Sequence, residues 1–139
     1  MRLKTSEILS LNHELHGIVK VQGEKQEVIA SGLLRQKTSP MLKMYLHRLS
    51  RFIQAEVETI NKLRDELNKT FWEGRNEEDK TSPDVIKEFS SRVREIMDTE
   101  IEVDTKVFWG NVDMVEVMRL EKEMSSDEYY PVFFNLIGV

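Results

Sequence analysis

His13 and His16 stand three residues apart with Glu14 between them, a spacing that on a helix brings two imidazoles within reach of one metal ion. A metal centre needs a third and usually a fourth ligand, and no HExxH or His-rich continuation follows. The pair therefore reads as polar residues of an amphipathic first helix. Cysteine is absent, which removes thiolate ligands, disulfides and a cysteine nucleophile together. Glu95, Asp98, Glu100, Glu102 and Asp104 cluster in sequence, and paired carboxylates can do acid/base work. Alternation along a strand would spread Glu102 and Asp104 over one face, so a solvated surface is the simpler reading. No GxSxG sequence, glycine-rich phosphate loop or Cys/His pairing occurs. The expectation is a protein that is not an enzyme, with no catalytic, cofactor-binding or metal residues.

Positive charge is more suggestive. Between Ser31 and Arg51, the side chains of Arg35, Lys37, Lys43, Arg48 and Arg51 are met by no acidic residue. Lys43, His47 and Arg51 recur every four residues, along one edge of a helix. Such a stripe suits an acidic protein surface or nucleic-acid phosphate, and a net charge of −5 weighs against nucleic acid. Aromatic residues are the other candidates. Trp72 and Trp109 flank the ends of the helical arms described below, and Tyr129, Tyr130, Phe133 and Phe134 crowd the C-terminal segment. Most aromatics belong in a core, but any that project together form the anchors that partner-binding surfaces use. The candidate partner-binding residues are thus Lys43, His47, Arg51, Trp72, Trp109, Tyr129, Tyr130, Phe133 and Phe134.

The elements that position them follow from punctuation and periodicity. The tripeptide TSP occurs at 38–40 and again at 81–83. Proline suits the first helical position, and serine before it is a favoured N-cap, so each TSP predicts a helix start. After Pro40, Leu42, Leu46, Leu49, Ile53, Ile60, Leu63 and Leu67 trace a helix seam, with Glu56 at one seam position. With no internal Gly or Pro before Gly74, this helix would run about 50 Å at 1.5 Å per residue. A second stripe, Ile86, Phe89, Val93 and Ile96, predicts an arm of about 24 Å, and the polar link between them suggests an antiparallel hairpin. The shorter arm covers only part of the longer one. The remainder calls for either the N-terminal third of the chain or a second copy.

Ser6 and Glu7 open an expected first helix with Ile8, Leu11 and Leu15 inward, stopped by Gly17. Residues 18–36 allow a hairpin turning at Gly23 or a helix with Val28, Ile29, Leu33 and Leu34 inward. The helix is preferred because Gly32 is its only internal breaker. IEVDTKVFW alternates as a strand from Ile101 to Trp109, which must pair with 112–118, with 18–22 or with another molecule. Pro131 disfavours helical geometry at Tyr130, so the last segment reads as a short or broken helix docking aromatics.

The fold class expected is mainly α with a small β element (α+β). It is one domain over 1–139: an N-terminal helical region at 1–36, a helical hairpin at 39–98, and a strand and C-terminal helix at 99–139. Residues 1–70 carry twelve Lys/Arg against eight Asp/Glu, and 71–139 eight against seventeen, so the two halves of the chain attract one another. The longest apolar run, VFFNLIGV, is too short to span a bilayer, and the start of the chain does not read as a signal peptide.

KTSPMLKMYLHRLSRFIQAEVETINKLRDEL (37–67) and IKEFSSRVREIMDTEIEVD (86–104), with a fainter echo in SSDEYYPVFFNLI, resemble a family of small tailed-bacteriophage proteins known only as a domain of unknown function. The resemblance implies phage origin, a non-catalytic helical α+β domain and no assigned active site. The expected role is that of a protein–protein interaction component of the virion or its assembly. Such a component would sit in the host cytoplasm or the virion and bind itself or a larger phage protein as an oligomer or complex subunit. The rival expectation is a regulator or anti-host factor that binds nucleic acid, or a host nucleic-acid enzyme, through the basic stripe.

Overall fold

Proline opens a helix at both TSP sites as the sequence predicts, whereas the serine hydroxyl caps only at the first: Ser82 stands at the N-cap of the helix that Pro83 begins but makes no side-chain cap hydrogen bond. In a computed structural model, which describes residues 2–104, 113–124 and 131–137, Ser39 Oγ accepts the Leu42 N–H at 3.3 Å and Pro40 is the first residue of the longest helix. In chain order the elements are β1 (Arg2–Lys4), α1 (Thr5–His16), β2 (Gly17–Gln22), β3 (Lys25–Ser31), a 3-10 turn (Leu33–Arg35), α2 (Pro40–Trp72), α3 (Glu77–Thr81), α4 (Pro83–Asp98), β4 (Glu100–Glu102), α5 (Met114–Met124) and α6 (Pro131–Ile137). The fold is mainly α with a small β element.

The 33 residues of α2 pass Glu56 without a break and span about 50 Å. Its seam residues Leu42, Leu46, Leu49, Ile53 and Ile60 are buried. The hairpin expected with α4 forms, by way of the short helix α3, where Asn76 and Asp79 cap each other reciprocally (2.9 and 3.2 Å). At its far end Phe71, Trp72 and Phe89 pack as a trio with ring centroids 4.9 to 5.4 Å apart. No residue of α4 is fully buried, so this arm is held by half-buried apolar side chains and, at its C-terminal end, by the Thr99 carbonyl accepting the Thr5 N–H at 2.8 Å.

The first half of α2, as far as Ile60, is covered from within the chain. Helix α1 lays Ile8, Leu11 and Leu15 against it, with Leu33 of the 3-10 turn beside them. Val117 and Leu120 of α5 and Phe133, Phe134, Leu136 and Ile137 of α6 complete one core. Of the two lids the seam allows, the chain's own N-terminal third is the one used, together with its C-terminal helices. Leu63, expected on the same seam, stays exposed (48 %) and Leu67 is half-buried, so cover from within the chain ends short of the seam's last turns.

Two expectations are corrected. Residues 18–36 hold a β-hairpin and not a helix: β2 and β3 pair antiparallel from Gly17↔Ser31 to Gln22↔Lys25, with an irregularity between Ile18 and Val19. Gly23, at φ +62°, is the first central residue of the two-residue turn, where a type II′ hairpin needs a glycine. Gly32 serves this path in another way, since a Cβ there would lie 2.3 Å from the Leu15 carbonyl oxygen. It lets the chain leaving β3 pass against the end of α1.

The second correction concerns strand pairing. The strand at 101 is β4, and its partner is β1, in the register Arg2↔Glu102, Leu3↔Ile101 and Lys4↔Glu100, which was none of the three partners expected. Arg2 lies 3.3 Å from Glu102 and 3.8 Å from Glu100, so the basic and acidic halves of the chain do meet here. Val103 and Asp104 continue without strand structure, and 105–109 lie outside the described residues. Residues 114–118, one candidate partner, are helical in α5.

Candidate interaction surfaces

The basic stripe divides once the side chains are placed. Lys43 is half-buried and its Nζ donates to the carbonyls of Leu34 and Gln36 (2.8 Å to the latter), so it ties α2 to the chain leaving the 3-10 turn. It is a structural cation and not a docking one. His47, Arg48 and Arg51 are exposed on α2, and no ion pair engages them among the described residues. Met41 and Met44 lie exposed at the same end of the helix (44 % and 48 %). Arginine and methionine together are the composition that interface cores favour. The two methionines are the part of this surface that charge counting missed; their spacing of three, off the Leu seam, was the available signal.

Trp72 lines the second surface. With Asn68, Lys69, Glu73, Lys80 and Ile86 it borders an open groove of about 540 Å³ between the end of α2, α3 and the start of α4. Trp72 and Ile86 keep part of their apolar area in contact with solvent, and Leu63 lies exposed further back along α2. Lys80 is drawn to Glu77 at 3.3 Å, and Arg75 stacks over the Phe71 ring at 4.4 Å while its Nε donates to the Phe71 carbonyl (2.7 Å).

A third, polar cleft opens at the start of α2, between Lys37–Ser39 and Asp113 with the α5 residues Val115, Glu116 and Arg119. Glu116 accepts the Ser39 N–H at 2.6 Å, and Asp113 caps its own helix at the Val115 N–H (2.9 Å). Its carboxylates and cations balance, so no ligand charge is selected.

Phe133 and Phe134 are core residues, stacked edge-on at 5.2 Å and closed to any partner. Trp109, Tyr129 and Tyr130 lie outside the described residues. His13 is exposed, while His16 Nε2 lies 3.0 Å from Ser50 Oγ and links α1 to α2. No group of three or more His, Cys, Asp or Glu able to hold a metal ion occurs among the described residues. Among the described residues no helix is long and apolar enough to cross a membrane.

Glu14, between the two histidines, is the most perturbed carboxyl among the described residues. It is buried, and its Oε1 accepts the N–H groups of Val132 (3.0 Å) and Phe133 (3.4 Å) at the first turn of α6. Burial pushes its carboxyl up to about 7 from 4.5, against the smaller opposing pull of those two N–H groups. The clue in the sequence was its place three residues after Leu11, at the margin of the buried stripe.

No protein-family model, curated protein or solved structure matches this chain, so the likeness to the phage family rests on the residues quoted for it.

Proposed function

We propose that the chain is a non-catalytic interaction component, of a phage virion or its assembly as the resemblance implies, and that it docks an acidic protein surface through the exposed face of α2. What carries this reading is a single juxtaposition: His47, Arg48 and Arg51, without ion pairs among the described residues, stand beside the exposed apolar side chains of Met41 and Met44. The cations steer and register an acidic partner, and the methionines give adaptable apolar contact. Phosphate would use the charges and leave the methionines idle, which favours protein over nucleic acid.

Cross-linking mass spectrometry on the tagged chain in its native host, beside a variant with His47, Arg48 and Arg51 changed to Glu, tests the proposal. Links from this face to a defined acidic protein surface, lost in the variant, are the expected result. Salt-sensitive binding of labelled DNA or RNA, abolished by the same substitutions, would transfer the site to the nucleic-acid reading. An unchanged cross-link pattern would remove the face from function altogether.

A further inference from the structure

Helix α6 is held to the molecule by apolar packing and one polar tie. It packs chiefly on α1, and among the described residues its single hydrogen-bonded link to another element runs from the N–H groups of Val132 and Phe133 to Glu14 Oε1. These are the first two N–H groups that the helix owns, because Pro131 has none. Glu14 Oε2 is buried and has no partner. A neutral carboxyl leaves one polar oxygen unpaired there, whereas a carboxylate leaves charge unpaired away from water, at far greater cost. No neighbouring charge offsets that cost. Helix α6 has no titratable side chain, and on α1 His13 is exposed and His16 is engaged with Ser50. On α2, Lys43 is held by two carbonyls, His47 and Arg51 are exposed, and the Tyr45 phenol, pushed up to about 12 by burial, stays neutral. Arg35 of the 3-10 turn and the charged side chains of α4 are exposed as well.

We infer that Glu14 makes α6 a pH-sensitive latch: with the carboxyl neutral the helix stays on α1, and ionisation favours an opened state in which α6 lifts and Glu14 reaches water. Opening hydrates the carboxylate and hands the N–H groups of Val132 and Phe133 to solvent. The carboxyl titrates at about 7 when closed and near 4.5 when opened, so opening is constant in acid, grows as pH rises from 4.5 and levels off above 7. The full rise is on the order of 100-fold. Phe133, Phe134, Leu136 and Ile137 are buried in the closed state, which keeps the opened form a minority at every pH. A partner that takes the uncovered face of α1 gains affinity by the same factor.

Native-state hydrogen exchange on the full chain, read by NMR between pH 5 and pH 8 and corrected for intrinsic rates, tests the latch beside Glu14→Gln, which keeps an acceptor and cannot ionise. The α6 amides of the parent should be less protected than those of Leu46 to Ile53 at every pH, because the latch opens without the core. Their protection should fall on the order of 100-fold across this range relative to the variant. Amides of α4, whose opening leaves Glu14 covered, should show no such fall. Three results would each overturn the inference: α6 amides that exchange only as slowly as those of Leu46 to Ile53, a fall that the variant shares in full, or a Glu14 carboxyl whose carbon-13 shift in the parent titrates near 4.5. The first and third are read on the parent alone, so the latch stays testable even where Glu14→Gln fails to fold.

Discussion

Glu14 is the side chain whose protonation the fold controls most. Its carboxyl titrates near 4.5 when unfolded and at about 7 in the folded chain. Below 4.5 both states hold the proton. Between 4.5 and 7 only the unfolded state releases it, so Glu14 stabilises the fold fully in acid and this contribution is lost as pH rises through about 7. The limit is about 3 kcal/mol, counted from the distance between the two values. Glu14→Gln keeps an acceptor for the Val132 and Phe133 N–H groups and cannot ionise. We expect urea unfolding to show parent and variant near equal at pH 4.5, with the variant pulling ahead by about 1 to 3 kcal/mol at pH 8. Taking the difference between the two cancels the other carboxylates. A constant gap across that range would mean Glu14 titrates normally. The sequence held only the position of Glu14 at the margin of the buried stripe, because its burial depends on α6, more than a hundred residues away. Lys43 was misread for a related reason: a cation at helix spacing looks the same whether its ammonium faces water or two carbonyls.

Helix starts and seams were legible because each rests on a few neighbouring residues: Ser39 and Pro40 for α2, Ile8, Leu11 and Leu15 for α1. Strands were less so. Three residues of β1 carry no periodicity, and β4 finds them across nearly the whole described chain, a pairing no local pattern encodes. The β2–β3 hairpin was written in Gly23 and Gly32, yet Val28, Ile29, Leu33 and Leu34 also fit a helical face. The glycines decide, and they separate by experiment. Gly23→Ala meets nothing within 4 Å and carries only the strain of φ +62°, about 1 kcal/mol. Gly32→Ala drives a Cβ into the α1 backbone and should cost more, about 2 to 4 kcal/mol, because neither the Leu15 carbonyl nor Gly17 can move freely. Equal thermal shifts for the two variants would show that the close approach at Gly32 relaxes without cost. The arm α4 is weak in another way, having no fully buried residue. Native-state hydrogen exchange should find α4 and the last turns of α2 opening well below the free energy of α1 and the first half of α2.

Both chain ends enter one core: Leu3 and Ile8 from the start and Phe133, Phe134, Leu136 and Ile137 from α6, which packs chiefly on α1, join the seam residues of the first half of α2. The molecule is thus two regions of unequal strength on one rod. Near Leu46 and Ile53 the helix is enclosed, and near Phe71 it is held by a single half-buried arm. Length and composition imply one domain, but the unequal division of burial appears only when the two ends are brought together. The consequence is an asymmetry between two aromatic truncations of like chemistry. Phe133→Ala opens a cavity in a fully enclosed site and should cost about 3 to 5 kcal/mol, felt by every probe because both termini lose their common contact. Phe89→Ala removes the centre of the trio with Phe71 and Trp72, where solvent already reaches, and should cost about 1 to 2 kcal/mol beyond which the arm simply opens. Tryptophan fluorescence from Trp72 should then report early loss of the arm while circular dichroism still records the helices of the core. Coincident transitions by both probes in the Phe89 variant would mean that rod and arm unfold as one unit, and that the weak half borrows its stability from the strong one.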